Sequence, residues 1–146
     1  MVKKIGLLLA ARSDFGIQKQ LIDSLTSDKR FEVNIYVNTA IISTKFGNNI
    51  NEIKKIKAKK FYLNFKYSNS NQENIIYYFA NILLELRLLL KSNTLDGFII
   101  TGDRFEMFAA AIVCLNYNLP IVHFCGGSIT EGSLDDIYRY SISKMS

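Results

Sequence analysis

The feature that most constrains this chain is an alternation that runs its whole length. Short, strongly apolar runs of strand length are separated by segments with helical spacing. Residues 3–11 form a nearly continuous apolar run, the mark of a strand buried on both faces. Ser13 or Asp14 then caps a segment with Ile17, Leu21, Ile22 and Leu25 at helical spacing. Residues 31–38 alternate, with Phe31, Val33, Ile35 and Val37 on one face of a strand. Gly47-Asn48-Asn49 reads as a turn before a short basic helix, residues 61–65 as a weaker strand, and residues 68–71 as a polar turn. A long helix over 72–91 follows, with Asn74, Tyr78, Asn81 and Glu85 as a narrow polar stripe, and so little polar surface predicts cover on nearly all sides. Residues 95–101 read as a central strand and 104–117 as a helix whose Ala109, Ala110 and Ala111 permit close packing. Residues 119–124 read as a strand and 125–133 as a loop before a last helix from Leu134. Strand–helix alternation of this kind predicts one α/β domain over 1–146, a Rossmann-like parallel sheet with helices on both faces.

Bulk properties narrow the function class. The 146 residues suffice for a proper core, and 49% hydrophobic with 21% charged is a globular balance. The net charge of +5 owes much to Lys54, Lys55, Lys57, Lys59 and Lys60. That run reads as a solvated helix face, and no interleaved stacking aromatics make it a nucleic-acid signature. Cys114 and Cys125 supply neither a disulfide framework nor a zinc spacing. The apolar start ends at Arg12 and Asp14 without a cleavage pattern, and residues 82–90 are short and broken by Glu85 and Arg87. The expectation is a cytoplasmic protein with no membrane or nucleic-acid partner.

Ligands of open α/β sheets bind outside the carboxyl ends of the strands, and polar residues gather at those ends here. At the first, Ala11-Arg12-Ser13-Asp14-Phe15-Gly16 lacks the glycines of a dinucleotide or phosphate loop, which leaves Arg12 either as a phosphate fork or as the partner of a neighbouring acid. At the central strand, Asp103 reads as a helix N-cap or as a general acid–base group, with Arg104 and Glu106 beside it. At the next, the lone His123 precedes Cys125 and the Gly126-Gly127 pair, which lets backbone approach a ligand. His123 reads equally as a satisfied rim residue, and Cys125 as a soft filler. Asp135 and Arg139, four apart on the last helix, read as an ion pair or as a crevice carboxylate oriented by an arginine.

Taken together, Arg12-Ser-Asp-Phe-Gly16, Gly102-Asp-Arg-Phe-Glu106, His123-x-x-Gly126-Gly127 and Asp135-Asp-Ile-Tyr-Arg139 through Ser146 resemble the N-terminal half of the hydrolysing UDP-N-acetylglucosamine 2-epimerases, in the branch serving sialic and legionaminic acids. The resemblance covers essentially the whole chain. It implies the first domain of a two-domain, glycosyltransferase-B-like fold with the site between domains, the second domain being absent from this chain. The implied reaction eliminates UDP to a glycal and hydrates it to the 2-epimeric amino sugar, with no metal or nicotinamide. By match, Asp103 and Asp135 are catalytic carboxylates and Arg12, His123, Gly126, Gly127, Ser128 and Arg139 bind substrate. Three positions depart from the family: Cys125 stands where a Glu or His is usual, Ser128 where the branch has Glu, and Tyr140 where Arg139 is usually followed by His. Glu131 is then the replacement carboxylate, and the site is expected to be weakened as it stands.

The implied partners are a UDP-sugar and either a second copy of the chain or a separate C-terminal domain. Two readings of other kinds stay open: the N-terminal domain of a glycosyltransferase, and a non-catalytic remnant that binds a partner through the apolar helix of residues 72–91.

Overall fold

Each strand is followed by a helix that carries the chain back to the starting edge, so every strand pair in the computed structural model is parallel. The structure describes residues 1–42, 50–65, 72–127 and 133–146. The strands are β1 (Lys3–Leu9), β2 (Phe31–Asn38), β3 (Lys59–Leu63), β4 (Gly97–Thr101) and β5 (Ile121–Phe124), in the order β3-β2-β1-β4-β5. The helices are α1 (Arg12–Ser27), α2 (Ile50–Lys55), α3 (Gln72–Ser92), α4 (Phe105–Asn116) and α5 (Leu134–Met145), with a 3-10 turn at Thr39–Ile42. The direction of travel reverses between β1 and β4, which makes the carboxyl ends of these two strands the topological switch point.

Side-chain alternation along the strands builds two cores. On one face Leu7 and Leu9 join Val33, Ile35, Val37 and Ile99 beneath Phe15 and Ile22 of α1 and Ile53 of α2. On the other, Leu8, Tyr36, Phe98 and Ile100 lie under α3, α4 and α5. The expected face of β2 is buried as read, and its opposite face is buried too: Tyr36 is stacked on Phe61 with ring centroids 5.2 Å apart. The alanine stripe of α4 is wholly buried between α3 and α5. Phe108 on its flank joins Phe79 of α3 and Tyr138 of α5, at centroid distances of 5.8 and 5.3 Å. Cover gives out at the sheet's far edge. Leu7, paired to Ile35 and Ile99, is fully buried, but Val122, paired in turn to Ile99, is half-exposed, because α1 does not extend over β5.

Three sequence expectations shift. β1 ends at Leu9 rather than residue 11, because Ala11 turns out of the strand to become the N-cap of α1. β3 spans Lys59–Leu63, two residues early, since Lys60 anchors the strand start by donating to the carbonyls of Ile56 and Ala58. The same contact, with the Lys59–Glu32 ion pair, accounts structurally for part of the lysine run. The polar stripe of α3 is the largest correction. Tyr78 is fully buried with Ile82, Leu86 and Leu90, while Ile76, Tyr77, Leu84 and Leu88 are exposed. The tyrosine ring carries enough apolar area to choose the core whatever its hydroxyl does. Turns read at residues 47–49 and 68–71 lie outside the described residues.

The α3 orientation has a direct test in the chain's thermal or urea unfolding. Tyr78→Ala removes a buried aromatic and should cost about 3–5 kcal/mol; Tyr77→Ala, half-exposed one residue away, should cost about 0.5 kcal/mol or less. The two thiols provide a second test. Burial pushes Cys114 from the usual 9.0 up to about 12, whereas Cys125 is exposed. A disulfide reagent at pH 8 should therefore titrate Cys125 alone until the chain unfolds. Since the folded state holds the Cys114 proton more tightly, that group's stabilising contribution is complete below pH 9 and is lost as pH rises towards 12.

Candidate functional site

The switch point is walled by two turns. At the end of β1, α1 begins at Arg12 with Ala11 as N-cap, and Asp14 is the third residue of the helix rather than its cap. The Asp14 carboxylate turns back to accept from the Ala11 N–H at 2.7 Å and the Ala10 N–H at 3.1 Å, so it ties strand end to helix start. This carboxylate is buried, and desolvation pushes its pKa up against the opposing pull of the Ala11 N–H and the nearby Arg104 charge. Arg12 is exposed, with no hydrogen bond or ion pair among the described residues, so of its two readings the pairing with a neighbouring acid is not seen there.

At the end of β4, Gly102 takes φ +82°, a left-handed conformation that suits glycine. Its N–H donates to the Phe124 carbonyl at 2.9 Å, which registers the turn against β5. Asp103 follows. It is not the N-cap of α4; Arg104 holds that position without a side-chain cap. The left-handed turn carries the Asp103 carboxylate away from the α4 amides and onto Arg139 of α5. Oδ2 accepts from Arg139 Nη2, while Oδ1 has no hydrogen-bond partner among the described residues and the side chain is about one-quarter exposed. Arg104 lays its Nε and Nη2 on the two oxygens of Glu106, at 3.1 and 2.7 Å. Glu106 is buried, yet the arginine remains 44% exposed, so a fixed cation stands at the crevice rim.

The third wall comes from β5 and α5. Arg139 is 4% exposed and bridges Asp103 and Asp136; its charged form is further favoured by the hydrogen bond to Asp103, opposed by desolvation. The within-helix pair thus forms at i,i+3 with Asp136, not at i,i+4 with Asp135, which is exposed in the first turn. Ser133 caps α5, accepting from the Asp135 N–H at 3.2 Å. His123 uses both ring nitrogens: Nε2 lies 2.8 Å from the Gly102 carbonyl and Nδ1 lies 2.9 Å from Ser143 Oγ. Gly126 packs so closely that a Cβ there would stand 2.6 Å from both His123 Nδ1 and Ser143 Oγ, while Gly127 is open. Cys125 is exposed at φ +63°, in the left-handed region between strand and glycine pair. Ser128 and Glu131 lie outside the described residues.

Asp103, Arg139 and His123 are therefore brought together, with Gly126 packed against the histidine. Among the described residues no side-chain hydrogen bond or ion pair joins Arg12 or Asp135 to them. Sequence reasoning missed Asp136 as the arginine's helical partner and undervalued the Arg104–Glu106 pair. The signal for Asp136 was its i,i+3 spacing, which ranks equally with i,i+4 on a helix. Among the described residues no helix is long and apolar enough to cross a membrane, and no cluster of three or more metal-ligating side chains occurs.

A family model described as UDP-N-acetylglucosamine 2-epimerase matches residues 23–146. The UDP-N,N'-diacetylbacillosamine 2-epimerase (hydrolyzing) of Legionella pneumophila is 30% identical over 150 residues, covering 100% of this chain and 39% of that protein. The GDP/UDP-N,N'-diacetylbacillosamine 2-epimerase (hydrolyzing) of Campylobacter jejuni is 31% identical over 144 residues, covering 99% of this chain and 38% of that protein. The fold is shared with the crystal structure of Methanocaldococcus jannaschii UDP-GlcNAc 2-epimerase in complex with UDP-GlcNAc and UDP, at TM-score 0.83 and 17% identity, over 98% of this chain and 38% of that one. The chain thus spans about two-fifths of the length of the curated relatives it matches. By the extent of the family match, the chain belongs to the UDP-N-acetylglucosamine 2-epimerase family.

Proposed function

We propose that this chain is the N-terminal half of a hydrolysing UDP-sugar 2-epimerase whose active site closes against a second domain. The observation that carries the reading is Asp103: a partly exposed carboxylate at the carboxyl end of β4, oriented through one oxygen by buried Arg139 and with its other oxygen unengaged among the described residues. A proton-transfer group needs this combination of fixed direction and an available lone pair. The proposed reaction removes the C2 proton of the sugar while the C1–oxygen bond breaks and UDP leaves with the electron pair. Water then adds across the resulting glycal, its hydroxyl to C1 and a proton to C2 from the opposite face. Elimination and hydration leave the oxidation state unchanged, so the scheme uses no nicotinamide.

In this scheme Asp103 is one acid–base group, and Asp135 and Glu131 are the other candidate carboxylates. Arg12, exposed at the start of α1 and unpaired among the described residues, and Arg104, held by Glu106, supply positive charge for a diphosphate near the switch point. Gly127 leaves open backbone beside the tightly packed Gly126, and Ser128 is the further substrate-binding residue of the proposal. The sugars named for the relatives, N-acetylglucosamine and N,N'-diacetylbacillosamine, are the substrates to try. A cytoplasmic location and a second copy or C-terminal domain as partner belong to the same proposal.

Two measurements test it. UDP release from either UDP-sugar should be absent with the chain alone and appear when the C-terminal domain of a hydrolysing relative is supplied; robust release by the chain alone refutes the two-domain reading. In the complemented enzyme, Asp103→Asn should lower kcat by roughly 10²–10⁴. It should also lower the melting temperature, because the buried Arg139 loses the charge of Asp103. Full activity in that variant would leave Asp103 a structural ion-pair partner.

Asp14 supplies an independent check on the crevice's electrostatics. Its folded-state pKa is raised, so the stability it contributes is complete below the ordinary carboxylate value of 3.8 and is lost as pH rises above it. Asp14→Asn keeps an acceptor for the Ala11 N–H and removes the desolvated charge. The variant should melt higher than the parent at pH 7, and the gap should close as pH falls towards 4. A gap that is constant with pH would show that the carboxylate is not strained by burial.

A further inference from the structure

His123 stands between the two elements that fix Asp103. A backbone carbonyl only accepts, so the 2.8 Å contact to Gly102 requires Nε2–H as donor, and neutral Nδ1 then accepts from the Ser143 hydroxyl at 2.9 Å. Gly102 is in this way gripped by β5 on both sides of its backbone, through its N–H to Phe124 and its C=O from His123. Ser143 lies one helical turn beyond Arg139, so the imidazole and the guanidinium both link α5 to the same turn. The ring has no room to swing towards Gly126, where even a methyl group would collide with it. Both polar ends of the ring are occupied, which leaves neither for a ligand.

We propose that His123 is a positioning residue for Asp103: its imidazole pins the Gly102–Asp103 turn to α5 and does not touch the sugar nucleotide. The inference rests on the reading of Asp103 as an acid–base group, since a turn held this firmly matters most if its carboxylate must meet one particular proton. A displacement of about 1 Å in such a group is enough to cost on the order of 10²-fold in rate.

The test uses two amides that mimic different ring nitrogens. Glutamine places its NH2 where Nε2 stands and can still donate to Gly102; asparagine reaches only the Nδ1 position and loses that bond. In the complemented enzyme, His123→Gln should keep kcat near the parent's, while His123→Asn should lower it by roughly 10² with KM unchanged. In 15N-labelled chain, the parent ring should show the Nε2–H tautomer, and the Asp103 amide resonance should move in the Asn variant and hold in the Gln variant. An Nδ1–H tautomer in the parent overturns the proposal without any variant. Equal loss of activity in both variants, with the Asp103 amide unmoved, also overturns it and makes His123 a group that meets substrate. Should the resonances respond as expected while Asp103→Asn proves fully active, the clamp stands and the acid–base reading falls.

Discussion

The site depends on one guanidinium. Arg139 is buried midway along α5 and pairs with carboxylates from two separate elements: Asp136 one turn back in its own helix, and Asp103 at the end of β4. An arginine at this depth is tolerable only with such partners, since an unpaired buried charge is costly. Placing Asp103 and placing α5 are therefore one event. The sheet supplies the Gly102 turn, α5 supplies the cation, and the aromatic line from Phe79 through Phe108 to Tyr138 keeps α5 pressed on α4 while they meet. The unused oxygen of Asp103 is a by-product of this geometry, because a single guanidinium nitrogen occupies just one of the two.

The other side of the crevice is built on an opposite principle. Asp14 and Glu106 are buried carboxylates with Arg104 among them, and Asp14 is held in spite of its desolvation by two backbone amides. Such a grouping costs stability and gives rigidity to the loops on both sides of the switch point. A cation anchored to a buried acid has its direction fixed in advance, whereas a free surface lysine must be ordered before it can hold an anion.

How much of this was legible in the sequence divides along physical lines. Strand runs such as residues 3–11 and 31–38 are apolar enough to announce a buried parallel sheet, and the fold class followed from their alternation with helices. Tyr78 was misread because its hydroxyl weighs as polar in a pattern count while its ring behaves as core. The cap reading of Asp103, one of the two that its sequence position offers, fails because capping is a local rule and a contact thirty-six residues away in sequence wins. The cluster at the strand ends was visible as residue types, but the partner choices within it were not. Asp136 over Asp135, and Gly102 with Ser143 as the two ends of His123, are decided by how α5 is rotated, which no spacing records.

The strand order also sets a timetable. β1 finds β2, and β2 finds β3, within the first 63 residues, but the other edge of β1 is completed only by β4, with Asp96 reaching back to the Lys4 amide across 92 positions. During synthesis from the N-terminus, the β1–β2–β3 half is made long before its neighbour exists. β1, whose last four residues are buried in the finished sheet, spends that interval with one side bare. Pairings of such long range are slow and leave strand edges open to other chains. The polar crevice, lying where the late half meets the early one, is the last part of this domain to come into being.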